Sequence, residues 1–63
     1  MSAGRRAELE LELERQRAIL ERNEAKRWDP ATPPRSRFAY AAHATKARAR
    51  VVQLERRLEL WRP

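Results

Sequence analysis

Residues Glu8 to Glu14 read ELELELE, an unbroken alternation of glutamate and leucine, and the conformation of this stretch decides the fold. Apolar residues at every second position are typical of a half-buried strand. The stretch lies, however, in a segment from Arg5 to Trp28 that has no proline or glycine and is rich in strong helix formers. A strand of that length would be abnormal, and Ile19 is its one β-branched residue. We therefore predict that ELELELE is helical and that its alternation places leucine on two sides of one helix.

The second half of the chain predicts another helix, with a coiled-coil-like seam. Between Ser36 and Trp61 there is again no proline or glycine, and apolar residues recur in alternating steps of four and three. The series is Tyr40, Ala44, Ala47, Val51, Leu54, Leu58 and Trp61. This heptad spacing is typical of knobs-into-holes packing. We expect Leu9, Leu13 and Leu20 to form the matching stripe on the first helix.

The connection between the helices is the proline-rich stretch DPATPP, residues 29–34. Closely spaced prolines make a stiff, extended segment and interrupt both helices. Two starts for the second helix compete. Thr32 could be the N-cap residue, with Pro33 at the first helical position, or Ser36 could be the N-cap.

These elements predict an all-α fold, a single antiparallel two-helix hairpin resembling a coiled coil. We predict helices over residues 5–28 and 36–61, joined by an irregular loop over 29–35, because equal helices with a short loop favour antiparallel packing. A chain of 63 residues has marginal stability on its own. It has no cysteine for a disulfide and one histidine, too few residues for a structural zinc site. We therefore expect self-association or a partner to complete the fold.

Each predicted helix carries a second apolar stripe outside the seam. Exposed contiguous apolar surface usually marks an interaction site. The predicted protein-contact residues are Phe38, Ala42, Ala49 and Val52, together with Leu11 and Ala18. A homodimer that forms a four-helix bundle, or a groove on another protein, would cover them. The alternative is that the alanines are surface residues which simply favour helix formation.

The charge distribution is one-sided along the chain. The net charge is +6, with thirteen arginines and two lysines, and residues 1–29 sum to zero, so residues 30–63 carry the whole excess. The predicted phosphate-binding residues form a row on the second helix: His43, Lys46, Arg50 and Arg57. Such a basic row is expected of a protein that binds a nucleic-acid backbone. It equally fits a solvated helix face, or arginines that pair with glutamates of the first helix.

The same residues weigh against several other classes of function. One histidine, two serines and two threonines do not assemble a nucleophile with its base, and two helices enclose no substrate cavity, so we expect no enzyme activity, cofactor or small-molecule substrate. With no long apolar run and no secretory signal, we expect a soluble, cytoplasmic protein without a membrane partner. The leading hypothesis is a helical interaction module, acting as adaptor, assembly subunit or inhibitor. The alternative hypothesis is a nucleic-acid backbone binder.

Overall fold

The computed structural model describes residues 2–61 of the 63-residue chain, and the side chains of residues 4–61. Two helices, α1 (Ser2–Trp28) and α2 (Pro34–Glu59), pack against each other along their lengths as an antiparallel hairpin. The described residues contain no strand and form a rod of about 47 × 14 × 12 Å. The predicted all-α fold of two packed helices is therefore confirmed over residues 2–61.

The ELELELE stretch lies within α1, as its surroundings predict. Leu9 and Leu13 are buried against α2, whereas Leu11 between them is 49% exposed. Residues four apart share one helix face, while a residue two positions away points to nearly the opposite side. The alternation therefore gives α1 one buried leucine face and one exposed leucine.

The heptad seam of α2 forms the other half of the core. Ala44, Ala47, Val51 and Leu54 are buried, and Leu54 and Ala44 have no exposed surface. Tyr40, Leu58 and Trp61 are half-buried at the two ends of the seam. Val51 and Leu54 pack with Leu9 and Leu13 of α1, and the small alanines allow the two backbones to approach closely. The buried apolar residues of the described chain thus all belong to the interface between the seam of α2 and the leucine stripe of α1.

The start of α2 differs from both sequence alternatives. The helix begins at Pro34, and Pro33 occupies the N-cap position with φ −59° and ψ 147°, so neither Thr32 nor Ser36 is the N-cap. Pro33 cannot be helical because the proline that follows it forces extended geometry, while the fixed φ of Pro34 suits the first helical position. The helix ends at Glu59, two residues before the predicted end.

The short loop is held by its own backbone and by Arg37. The Asp29 side chain accepts a hydrogen bond from the Ala31 amide (2.9 Å), and the Asp29 carbonyl accepts one from the Thr32 amide (3.0 Å). Arg37 donates to the carbonyl oxygens of Thr32 (3.1 Å), Asp29 (3.4 Å) and Pro30 (3.5 Å). Because the loop is fixed in this way, the two helices begin and end in a defined register.

Candidate functional site

The four predicted contact residues on α2 lie on the side of the helix that faces away from α1. An α-helix turns by about 100° per residue, which places Phe38, Ala42, Ala49 and Val52 on the surface remote from the buried seam. All four are exposed, Phe38 by 80% and Val52 by 50%. Leu60, 68% exposed, extends this surface just beyond the helix. We call these five residues the outer edge of α2.

The two predicted contact residues on α1 lie elsewhere. Leu11 and Ala18 are seven residues apart, which is two turns, and they are exposed on the side of α1 remote from α2. We call this surface the outer edge of α1. Because the two helices lie side by side, their outer edges point in opposite directions. The hairpin therefore separates the six predicted residues into two surfaces and does not bring them together into one.

The loop end of the hairpin carries an aromatic pair. Trp28, 69% exposed, lies beside Phe38, and the two rings border a groove of about 300 Å³ together with Pro34 and Ala41. The guanidinium carbon of Arg27 lies 4.6 Å from the centre of the indole ring, a cation–π contact. Trp28 is not among the six predicted contact residues, and its exposure adds a large apolar side chain to the surface at this end of the hairpin.

Three of the four predicted phosphate-binding residues border one groove between the helices. His43 and Lys46 are exposed and Arg50 is half-buried. Arg22 of α1 borders the same groove at its rim, and the groove has a volume of about 600 Å³. The remaining lining residues are Gln16, Ile19, Asn23 and Ala47. We call this surface the basic groove. Arg57 is exposed two turns further along and borders a separate cleft near Arg5.

Sequence reasoning missed Arg22, and the hairpin register could have found it. A basic row on one helix is visible from its own spacing, but the residue opposite depends on how the two helices align. An alignment of the two leucine-containing seams would have placed Arg22 of α1 near Arg50 of α2. The basic groove is thus a product of the tertiary structure, and the row on α2 is one of its two walls.

The opposite face of the hairpin is organised by ion pairs between the helices. Arg17 contacts Glu55 at 2.8 Å, and Arg48 contacts Glu24 at 3.0 Å. These side chains are largely exposed, so each pair contributes at most about 1 kcal/mol to stability. Their main effect is on charge, because arginines of this face have carboxylate partners on the other helix.

Within residues 2–61, no three side chains of the metal-binding types His, Cys, Asp and Glu are grouped so that they could hold an ion. Over the same residues, neither helix combines the length and the apolar character that crossing a bilayer requires.

The geometry provides two outer edges, an aromatic loop end and a basic groove. A comparison of the chain with protein-family models, with curated proteins and with solved structures found no match.

Proposed function

We propose that this protein is a non-catalytic helical interaction module, which acts by docking an outer edge onto another macromolecule or onto a second copy of itself. The observation that supports the proposal most directly is the exposure of apolar side chains outside the single seam, at 80% for Phe38, 50% for Val52 and 49% for Leu11. A hairpin with one narrow core has a small free energy of unfolding, and burial of further apolar surface against a partner would increase it.

The outer edge of α2 is the better suited of the two edges. Ala42 and Ala49 are small, so another helix can approach the α2 backbone closely. Phe38 and Leu60 stand at the two ends of the edge, and both are mostly exposed, at 80% and 68%. A partner that lies along α2 would cover a small-residue centre and insert between two large anchors, an arrangement typical of helix–helix interfaces.

Self-association would satisfy this edge with no other partner. In a two-fold pairing of α2 with α2 of a second copy, centred on Ala49, residues at equal distances from position 49 meet. Phe38 and Leu60 are each eleven residues from Ala49, so each phenylalanine would pack against the leucine of the other copy. Such an isologous contact closes as a dimer in which the four helices lie in one row, with α1 of each copy on the outside, rather than as the four-helix bundle predicted from the sequence.

The test is the substitution Ala49→Glu. In the proposed dimer, the two new carboxylates lie next to each other at the centre of the contact, so we expect the variant to be monomeric and still helical. Light scattering coupled to size-exclusion chromatography gives the mass, and circular dichroism gives the helix content.

The matched control is Ala39→Glu. Ala39 is an exposed alanine of the same helix, and it lies about 80° around the helix from Ala49. The control makes the same change in charge and volume away from the outer edge, so it should associate like the wild type. If association survives Ala49→Glu, the outer edge of α2 is not the interface.

A second candidate function is binding to a nucleic-acid backbone. The specific observation that favours it is the basic groove, where His43, Lys46 and Arg50 share one surface with Arg22 of the other helix. Binding through these residues predicts an affinity for duplex nucleic acid that falls steeply with salt concentration, because each phosphate contact releases counterions.

A further inference from the structure

The two broad faces of the hairpin use their basic residues differently. On one face, Arg17 and Arg48 pair with carboxylates of the opposite helix, at 2.8 and 3.0 Å. The basic groove lies on the other face, and no carboxylate is among its lining residues. The positive charge of this groove is therefore not compensated by a carboxylate of its lining.

The ion pairs also give the register of the two helices. Residues 17 and 55, and residues 24 and 48, each have numbers that sum to 72. Residues 22 and 50 have the same sum, so Arg22 and Arg50 lie at about the same level along the hairpin. Arg22 shares the helix face of Ala18 and borders the groove at its rim through its long side chain, so a polyanion that lies in the groove can contact both arginines.

Within residues 4–61, neither Arg22, Lys46 nor Arg50 forms an ion pair. Arg50 donates a hydrogen bond to the Gln53 side chain at 3.3 Å, and that partner is neutral. Glu12, one turn before Gln16 on the same helix, accepts a hydrogen bond from the Gln16 side chain at 3.1 Å. The like charges of the groove thus repel each other until an anion neutralises them.

The chemistry of the groove favours phosphate over a protein carboxylate surface. Arginine presents a planar fork of donors that matches phosphate oxygens, and the basic residues recur along the groove like the charges of a polymer. Among the lining residues, Ile19 is the one sizeable apolar side chain, so an acidic protein would find little apolar surface to bury. The lining has no aromatic ring on which a base could stack.

We propose that the basic groove binds the phosphodiester backbone of a nucleic acid without regard to its sequence, with Arg22 and Arg50 contacting the strand from opposite helices. This inference rests on the second candidate function and adds the residue of α1 that completes its site. The groove requires the closed hairpin, because one wall comes from each helix.

The experiment measures binding of a fluorescently labelled, mixed-sequence DNA duplex by anisotropy at about 50 and 200 mM salt. We expect the wild-type dissociation constant to rise about 40-fold between these conditions if three phosphates are contacted. Arg22→Gln should weaken binding roughly tenfold at the lower salt concentration and reduce the salt slope by about one.

The matched control is Arg17→Gln, which removes the same charge from an exposed arginine of α1 on the opposite face of the hairpin, outside the groove and away from both outer edges. It should weaken binding less than about threefold, the effect of net charge alone. Circular dichroism should show equal helix content in both variants, since both substitutions replace exposed residues.

Three outcomes would contradict the proposal, and they distinguish failure of the nucleic-acid function from failure of the groove as its site. Absence of salt-dependent binding by the wild type would overturn the nucleic-acid function itself. Steep salt dependence with equal effects of Arg22→Gln and Arg17→Gln would leave that function standing and overturn the groove. Competition by polyglutamate as strong as that by DNA of equal charge would show that the groove fits an acidic protein, which also overturns the inference.

Discussion

At the scale of single residues, the core is defined by which leucines the seam buries. Leu13 is buried and Leu11 is 49% exposed, although the two stand two positions apart in the same alternating stretch. On α2, Leu54 has no exposed surface. The helical period explains each of these burials, so the buried residues were predictable from the sequence once helix was chosen over strand.

Leu54→Ala should lower the free energy of unfolding by about 2–5 kcal/mol, because it removes a fully buried side chain and leaves a cavity. Leu11→Ala, the same substitution at a half-exposed position, should change it by less than about 1 kcal/mol. Both variants are to be made in the Ala49→Glu background, so that association does not contribute, and measured by urea denaturation. Equal losses would show that the described seam is not the core.

At the scale of elements, the connection between the helices was predicted less well than the helices. The loop was recognisable from its prolines, but the first residue of α2 was not. Thr32 and Ser36 are good capping residues by type, yet Pro33 takes the N-cap position because its geometry is fixed by Pro34. A covalent restraint on the backbone prevailed over the preference for a side-chain cap.

Arg37→Ala should lower the free energy of unfolding by about 1 kcal/mol, because Arg37 donates hydrogen bonds to three loop carbonyls. Arg35→Ala is the matched control, since Arg35 lies in the same first turn of α2 and is exposed. Both substitutions remove a positive charge near the N-terminus of α2, which should raise the free energy of unfolding by a few tenths of a kcal/mol. Because this gain is the same in both variants, it cancels when the two are compared. Equal stabilities by denaturation, or equal hydrogen exchange at the Thr32 amide, would contradict the role given to Arg37.

At the scale of the whole molecule, the antiparallel packing of the helices decides which apolar and charged residues share a surface. Composition alone does not indicate this. The sequence predicts two apolar stripes outside the seam, and the antiparallel arrangement turns Leu11 and Phe38 to opposite sides. The sequence also predicts the excess of positive charge after residue 29. How that charge is distributed between the two faces of the hairpin depends on the register of the helices. Arg48 has a carboxylate partner, Glu24 of α1, only because the helices align as they do.

The central claim is that one copy of this hairpin leaves apolar edges that association should cover. The most direct test is thermal unfolding of the wild type over a hundredfold range of concentration, with the mass measured at each step. Linkage of folding to self-association predicts that the midpoint falls on dilution while the mass decreases from dimer to monomer. A monomer at every concentration, with a high and constant midpoint, would contradict the account.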